Sequence, residues 1–393
     1  MTGSFKSDFP FFSSNSDIIY LDNAATTQKP RQVIDSVVRF MSEQNSNVGR
    51  SLYPLSSAAS GLLSDARSKV ASFINADADE IIFTKGCTEA LNKVASSFLR
   101  RGLKGNIVIT KLEHSSNYAP WLDCCRSSVI ELRVAGVNSD GSLDTESVTS
   151  LIDGNTIAVS VSGMSNVTGF MPDISSICRY AEKHGVLSVI DAAQLAVHKD
   201  IDVREIGCDF LCLSGHKLYG PQGVGVLYAR KEAQAFLVPL ELGGGAVETD
   251  YRPRKGIPGF EAGSPNTSGI VGLSVAIDYL KQHNNEIKQI ESELSDYLFS
   301  SLKELGFVSV INSQPSPIVS STFGNMGCYD VGTLLAKRNI CIRTGSCCAY
   351  DYMRAMNLEG VCRVSVSFYN TKPEIDRLIE ELTWIYNRYG GKR

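Results

Sequence analysis

DFLCLSGHK, residues 209–217, runs from an acidic residue through four apolar ones to a serine, a glycine, a histidine and a lysine. An apolar run this short, bounded by polar and glycine residues, reads as a buried strand, Phe210 to Leu213. A lysine just past the end of such a strand is partly desolvated, and burial favours the neutral amine that forms imines. With Ser214 and His216 beside it to hold a phosphate, Lys217 has the surroundings needed to carry pyridoxal phosphate as a Schiff base. The competing reading is a solvated surface lysine with an ordinary pKa.

On either side, from about residue 60 to 230, helix-period segments alternate with short β-rich runs, the pattern of a mostly parallel sheet covered on both faces. The expected strands are Ile81 to Thr84, Asn106 to Thr110, Ile157 to Val161, Val186 to Ile190, Phe210 to Leu213 and Gly225 to Tyr228. In open α/β sheets ligands lie outside the carboxyl ends of the strands. That rule singles out Gly86 to Thr88, His114, Asn166, Asp191 and Ser214 to Lys217. Leu242 to Gly269, with glycines at 243–245 and Pro253, Pro258 and Pro265, reads as a loop or hook. Helix periodicity then runs from about Ile270 to Glu304, apart from a charged middle. Strand signals recur at Ile318 to Phe323 and Cys362 to Ser367, with helices near Val331 to Lys337 and Lys372 to Tyr389. The expected organisation of the 393 residues is an N-terminal arm over 1–18, a large cofactor-binding domain over 19–269 and a small α+β domain over 270–393.

The formal charge of −4 provides no basic stripe for neutralising phosphates, so nucleic acid is not an expected partner. No apolar run reaches the roughly 20 residues a spanning helix needs, and the first residues lack a signal-peptide pattern. Eleven cysteines, an odd number without framework spacing, fit a reducing compartment. The expectation is a soluble cytoplasmic protein without a membrane partner. No CxxC pair or His/Cys cluster suggests a metal.

Four further groups carry chemistry. Gly86, Cys87 and Thr88 stand between a strand and a helix, where orphan N–H groups and the helix dipole favour an anion; the alternative is an ordinary N-cap. Asp191 ends a strand where a carboxylate can keep a pyridine nitrogen protonated, with Gln194 in reach of a phenolic oxygen; again the alternative is a cap. His114 can stack on a ring and move protons near neutral pH, although a lone loop histidine is commonly a bystander. Arg343 and Arg363 flank Gly345, Ser346, Cys347 and Cys348. An arginine fork holds a substrate carboxylate, and a cysteine in a loop beside it is a candidate nucleophile; the plain alternative is a buried hydrophobe plus a bystander.

These residues together resemble the class V aminotransferase family, and within it the group II, SufS-like cysteine desulfurases and selenocysteine lyases. The likeness rests on YLDNAATTQKP (20–30), NVGRSLYPLS (47–56), FTKGCTEALN (83–92), EHSSNYAPW (113–121), SNVTG (165–169), DAAQ (191–194), SGHK (214–217), FEAGSPNTSG (260–269), RTGSCCA (343–349) and RVSVSFYNT (363–371). It spans Ile19 to about Tyr389.

The resemblance implies an α/β, type I pyridoxal-phosphate-dependent fold and a homodimer with active sites at the subunit interface. It implies Lys217 as the imine lysine, His114 as the stacking histidine, Asp191 and Gln194 as the ring-binding pair, and Thr88, Ser214 and His216 as phosphate ligands. Ser264 stands where the family usually has a threonine given by the other subunit. Asn166 and Arg363 match the substrate-binding positions and Cys348 the sulfur-accepting cysteine. The implied reaction turns L-cysteine into L-alanine, with the sulfur held as a persulfide on Cys348 and passed to an acceptor protein or thiol for iron–sulfur assembly. Ser346 and Cys347 replace the two histidines common in group II, and Ser115 replaces a frequent second histidine. The short spacing of Arg343 and Arg363 still fits the compact group II loop. Cys347 is expected to be an unreactive neighbour, with relay of the persulfide or oxidative pairing as the other roles open to it. The rival readings are a selenocysteine lyase, another C–S lyase or a transaminase of the same fold, and a non-catalytic sulfur-transfer scaffold. The cysteine speaks against a transaminase, and Lys217 with Asp191 against the scaffold.

Overall fold

Short runs of Val, Ile, Leu and Phe, buried along nearly their whole length, form the centre of the molecule. The computed structural model describes residues 5–49 and 52–390; residues 1–4 of the expected arm and Arg50 and Ser51 of NVGRSLYPLS lie outside the described residues. Seven strands make one sheet: β1 (Ile81–Thr84), β2 (Gly105–Thr110), β3 (Ile130–Ala135), β4 (Thr156–Ser162), β5 (Leu187–Asp191), β6 (Phe210–Ser214) and β7 (Gly225–Ala229). Their order is β1-β7-β6-β5-β4-β2-β3. Only β7 runs against its neighbours, β1 and β6; the remaining pairs are parallel. The six expected strands are all present, with ends within a residue of the expectation. β3 escaped notice because Glu131 and Arg133 interrupt its apolar residues, as befits an edge strand with one face in water.

The sheet is covered on both faces, and β6 shows the two-residue period behind it. Leu211 and Leu213 enter one core with Ile81, Ile190 and Val226. Phe210 and Cys212 enter the other with Val189, Leu227 and the inner face of helix α1 (Cys87–Arg100). Burial on both faces is why these strands read as continuous apolar runs.

β6 and β7 pair with Ser214 opposite Gly225, so residues 215–224 form a loop beyond the sheet and carry Lys217. A Cβ at Gly225 would lie 2.4 Å from Gly86 Cα. Glycine alone lets the β7 backbone press against the β1–α1 turn, and the two strand ends become one surface.

A second, antiparallel sheet of β8 (Val308–Val310), β9 (Ile318–Phe323), β10 (Arg343–Gly345) and β11 (Val361–Ser365), in the order β10-β11-β9-β8, lies in the C-terminal region. The helical stretch expected from 270 to 304 is two helices, Thr267–Gln282 and Asn284–Lys303. His283, at φ −112° and ψ 13°, lies between them. The polar HNN run at 283–285 has weak helix propensity. The break also redirects the chain, since Leu273 and Ile277 pack in the large-sheet core and Leu294, Leu298 and Leu302 in the core of the second sheet. The hook 242–269 contains one short helix, Ile257–Phe260.

Near the N-terminus, Ile19–Tyr20 pair in parallel with Ile340–Cys341. Leu21 is buried with Val364 and Ile340, whereas Ala24 belongs to the large-sheet core, so residues 22–23 pass between the two. Phe5, Phe9 and Phe12 join the large-sheet core with Tyr219 and Tyr369. Among the described residues, no helix is long and apolar enough to cross a membrane.

Candidate active site

The carboxyl ends of β1, β4, β5 and β6 and the β10–β11 connection enclose a cavity of about 240 Å³. It brings together Lys217, His114, Asp191, Gln194, Ser214 and His216 with Thr88, Asn166, Arg363 and Cys348. Ser264 is the exception. It is exposed and lies beside a different hollow with Lys85, Glu89 and Lys93.

At one end the α1 N-terminus meets the β6 end. The Cys87 N–H donates to Ser214 Oγ at 2.9 Å, which leaves the Ser214 hydroxyl proton free. Thr88 Oγ1 is 2.8 Å from Ser116 Oγ. His216 Nδ1 is buried without a partner. The His216 carbonyl accepts hydrogen bonds from the Thr26 and Thr27 hydroxyls, at 3.2 Å each, and from Lys29 at 2.9 Å. Burial, then the charges of Lys217 and Lys29, pull the His216 imidazole down to about 4. Orphan helix N–H groups, a free hydroxyl and an unpartnered imidazole fit the oxygens of a phosphate.

In the middle, burial lowers the pKa of the Lys217 ammonium, with Asp191 and then Cys87 the largest influences opposing it. The amine is thereby eased toward its nucleophilic form. Asp191 Oδ1 accepts the Ala193 N–H at 2.9 Å, so the carboxylate does cap a turn while still lining the cavity. The Gln194 amide donates to the Ala24 carbonyl at 2.8 Å. His114 is the N-cap of the helix Ser115–Arg126: its Nδ1 accepts the Ser116 N–H at 3.1 Å, which assigns the ring proton to Nε2. Burial, then the Lys217 charge, bring its pKa down to about 4 against the upward pull of Asp191. The expectation of a histidine titrating near neutrality gives way to one held neutral there, because it is walled in beside cations.

Behind it, Glu113 is buried with four donors on its carboxylate: the Thr110 and Ser162 hydroxyls at 2.6 Å, the Asn117 amide at 2.6 Å and the Ser162 N–H at 3.1 Å. Burial outweighs these bonds and pushes its pKa up to about 7. The network fixes the loop that carries His114.

At the far end, Arg363 on β11 donates from Nη1 to the Asn166 carbonyl at 2.9 Å and from Nη2 to Asp22 Oδ1 at 3.0 Å. Its Nε is buried without a partner, as is Asn166 Oδ1. Two buried, unsatisfied polar atoms on residues that line one cavity call for a polar partner. Arg343 lies directly opposite Arg363 in the β10–β11 pairing and lines the same cavity. Cys347 and Cys348 follow, at φ 50° and 58°, a left-handed conformation uncommon outside glycine. The loop is tied at both carbonyls: Asn166 Nδ2 donates to Cys347 O at 2.7 Å and the Ser115 N–H to Cys348 O at 2.7 Å. Cys347 is 4% exposed and packs in a core cluster at the edge of the cavity, and burial raises its pKa, so its thiol is protonated, whereas Cys348 is only partly buried.

Ser116 and Ser162 line the cavity without having been singled out, and neither was Asp22, the carboxylate that pairs with Arg363. Asp22 was visible as a charge inside the apolar IIYLDNAA run, where a carboxylate needs a cationic partner. The ion pair itself joins residues 341 positions apart and leaves no local sign.

The class-V aminotransferase family model matches residues 19–378. The chain belongs to that family. It is 37% identical over 400 residues to a cysteine desulfurase of Pectobacterium atrosepticum, covering 98% of each chain. Among solved structures, the cysteine desulfurase CsdA of Escherichia coli, in an S-sulfonic acid form, superposes with a TM-score of 0.91 at 31% identity over 98% of both chains. A cysteine desulfurase of Thermococcus onnurineus, solved in its apo form, gives 0.93 at 30% identity over 99% of this chain and 98% of its own. The fold is thus the type I fold of pyridoxal-phosphate-dependent transferases, and the family member is set among the cysteine desulfurases.

Proposed function

We propose that the protein is a pyridoxal-phosphate-dependent cysteine desulfurase that converts L-cysteine to L-alanine and receives the sulfur on Cys348. The observation that carries this reading is one cavity holding a lysine eased toward its neutral amine, a carboxylate, an arginine with an unpartnered Nε and a partly exposed cysteine.

Pyridoxal phosphate, when bound, supplies an aldehyde for the amino group and a ring that accepts the electrons released at Cα. Thr88, Ser214 and His216 would hold its phosphate, Lys217 its aldehyde carbon, Asp191 the ring nitrogen, Gln194 the phenolic oxygen and His114 one ring face. Arg363, aided by Asn166, holds the substrate carboxylate and so fixes Cα. Lys217, once free, would take the Cα proton. Cys348 attacks the substrate sulfur as a thiolate; the new S–S bond forms as the C–S bond breaks, and the electron pair of that bond stays with carbon, which ends protonated as alanine. His114, neutral with its proton on Nε2 and its Nδ1 taken by the Ser116 N–H, would donate a hydrogen bond from Nε2 and carry protons for these steps through that nitrogen.

Several exposed apolar side chains support a homodimer. Ile34, Val38 and Met41 mark the helix Arg31–Arg39 and the turn after it, with Leu52 and Leu55 close behind in sequence. The exposed Ser264 then serves the active site of the other subunit. Eleven free thiols fit a reducing cytoplasm, and the persulfide sulfur goes to an acceptor protein or thiol for iron–sulfur assembly.

The deciding experiment incubates the holoenzyme with L-cysteine, measures alanine and sulfide, and locates the added sulfur by mass spectrometry. Equal alanine and sulfide with the extra sulfur on Cys348 is the expected result. Alanine without a modified Cys348, or no visible absorbance after adding pyridoxal phosphate, overturns the assignment.

A further inference from the structure

Cys87 is the first residue of α1, is 3% exposed and lines the cavity between its two ends. Its N–H donates to Ser214 Oγ at 2.9 Å. Its thiol lies 3.2 Å from Asp191 Oδ1, the same oxygen that accepts the Ala193 N–H at 2.9 Å. Two donors therefore converge on Oδ1. Among the described residues nothing bonds Oδ2, and this oxygen is not among the sealed, unpartnered buried atoms. It is left as the acceptor that opens on the cavity.

We propose that Cys87 is a positioning residue whose thiol, by pinning Asp191 Oδ1, presents Oδ2 to the cofactor's ring nitrogen, while its amide keeps the Ser214 hydroxyl turned toward the phosphate. The proposal rests on the cofactor assignment above and adds to it a link between the two ends of the cofactor. A thiol is a weak donor and acts as one only while protonated. Burial, reinforced by the neighbouring Cys212 and Asp191, holds the Cys87 thiol well above the ordinary cysteine range, so it stays protonated across working pH. A donor on Oδ1 also withdraws charge from the carboxylate. Its removal leaves the carboxylate less fixed and its charge less shared, and both changes register in the electronic state of the bound ring.

The test uses apo-protein titrated with pyridoxal phosphate, followed by a pH titration of the visible band of each holoenzyme. Cys87→Ala is expected to weaken cofactor binding about three- to tenfold, the range of one hydrogen bond, and to move the midpoint of the visible band. It should lower kcat for L-cysteine with KM little changed. Cys87→Ser keeps all of these near wild type. Cys87→Thr and Cys87→Val, nearly equal in shape and different only in the hydroxyl, repeat the comparison if the alanine variant does not fold; the threonine form is expected to resemble wild type and the valine form alanine. Wild-type binding and spectra in both Ala and Val variants overturn the proposal. So does an equal loss in Ser and Thr, which would make shape and not the donor the cause. A wild-type protein that forms no visible band removes the cofactor assignment and the proposal together.

Discussion

On the side of the cavity built from strand ends, Ser214 closes β6 and Gly215 to Lys217 open the β6–β7 loop, locked by the contact of Gly225 with Gly86 and by the donors gathered on the His216 carbonyl. On the opposite side, Cys347 and Cys348 sit in consecutive left-handed conformations and are held by two hydrogen bonds from other segments, those of Asn166 and Ser115. The first side is fixed by the sheet and has little freedom to be otherwise. The second carries local backbone cost, on the order of 1–3 kcal/mol for each such residue, and depends on its neighbours to persist. Rigid placement suits residues that hold a cofactor, and a loop secured from outside suits a sulfur atom that must receive a group and then hand it on.

The contrast yields graded expectations. Lys217→Ala and Cys348→Ala should each lower sulfide release from L-cysteine by on the order of 10³-fold or more, but only the first should also abolish the visible cofactor band; loss of the band in both would show that the two sides are not independent. Arg363→Ala should reduce kcat/KM by about 10²-fold, and Arg363→Lys by about tenfold because the charge remains while the planar fork is lost; steady-state kinetics on L-cysteine will read the difference. Asn166→Ala removes the bond to the Cys347 carbonyl together with the proposed substrate contact, and a fall of about tenfold is expected. A faster alkylation of Cys348 in that variant would show the loop loosening.

A fourth expectation concerns pH. His114 and His216 have folded pKa values near 4, below the ordinary 6.5, so the folded state prefers them neutral. Their contribution to stability is complete above 6.5 and is lost as pH falls toward 4. The melting temperature of the apo-protein should therefore fall across that window, and His114→Asn should fall less steeply. Identical slopes would mean that the imidazole is solvated. The smallest effect is expected from Cys347→Ala, within about twofold of wild-type turnover, since its thiol is buried and protonated.

The strand-end side was legible because each of its pieces is contiguous. SGHK, GCTE and DAAQ each follow an apolar run, and the rule that ligands gather at carboxyl ends needs no knowledge of the third dimension. The edge strand β3 was hidden by its charged residues, and the break at His283 by helix periodicity that continues on both sides of it. The neutral state of His114 was not readable, because it depends on Lys217 and on enclosure by distant segments. Asp22 illustrates the general limit: its partner Arg363 lies 341 positions away on β11, and nothing in YLDNAATT announces the pairing.

Gly225 lies on the strand after Lys217, and a methyl group there would strike the turn that begins α1. Any attempt to widen the pocket for a bulkier cofactor analogue by reshaping the phosphate turn therefore has to move β7 as well. Mutagenesis will find position 225 closed whatever stands at 86, because the atoms in the way are backbone atoms of Gly86 and Leu213 that no side-chain change removes.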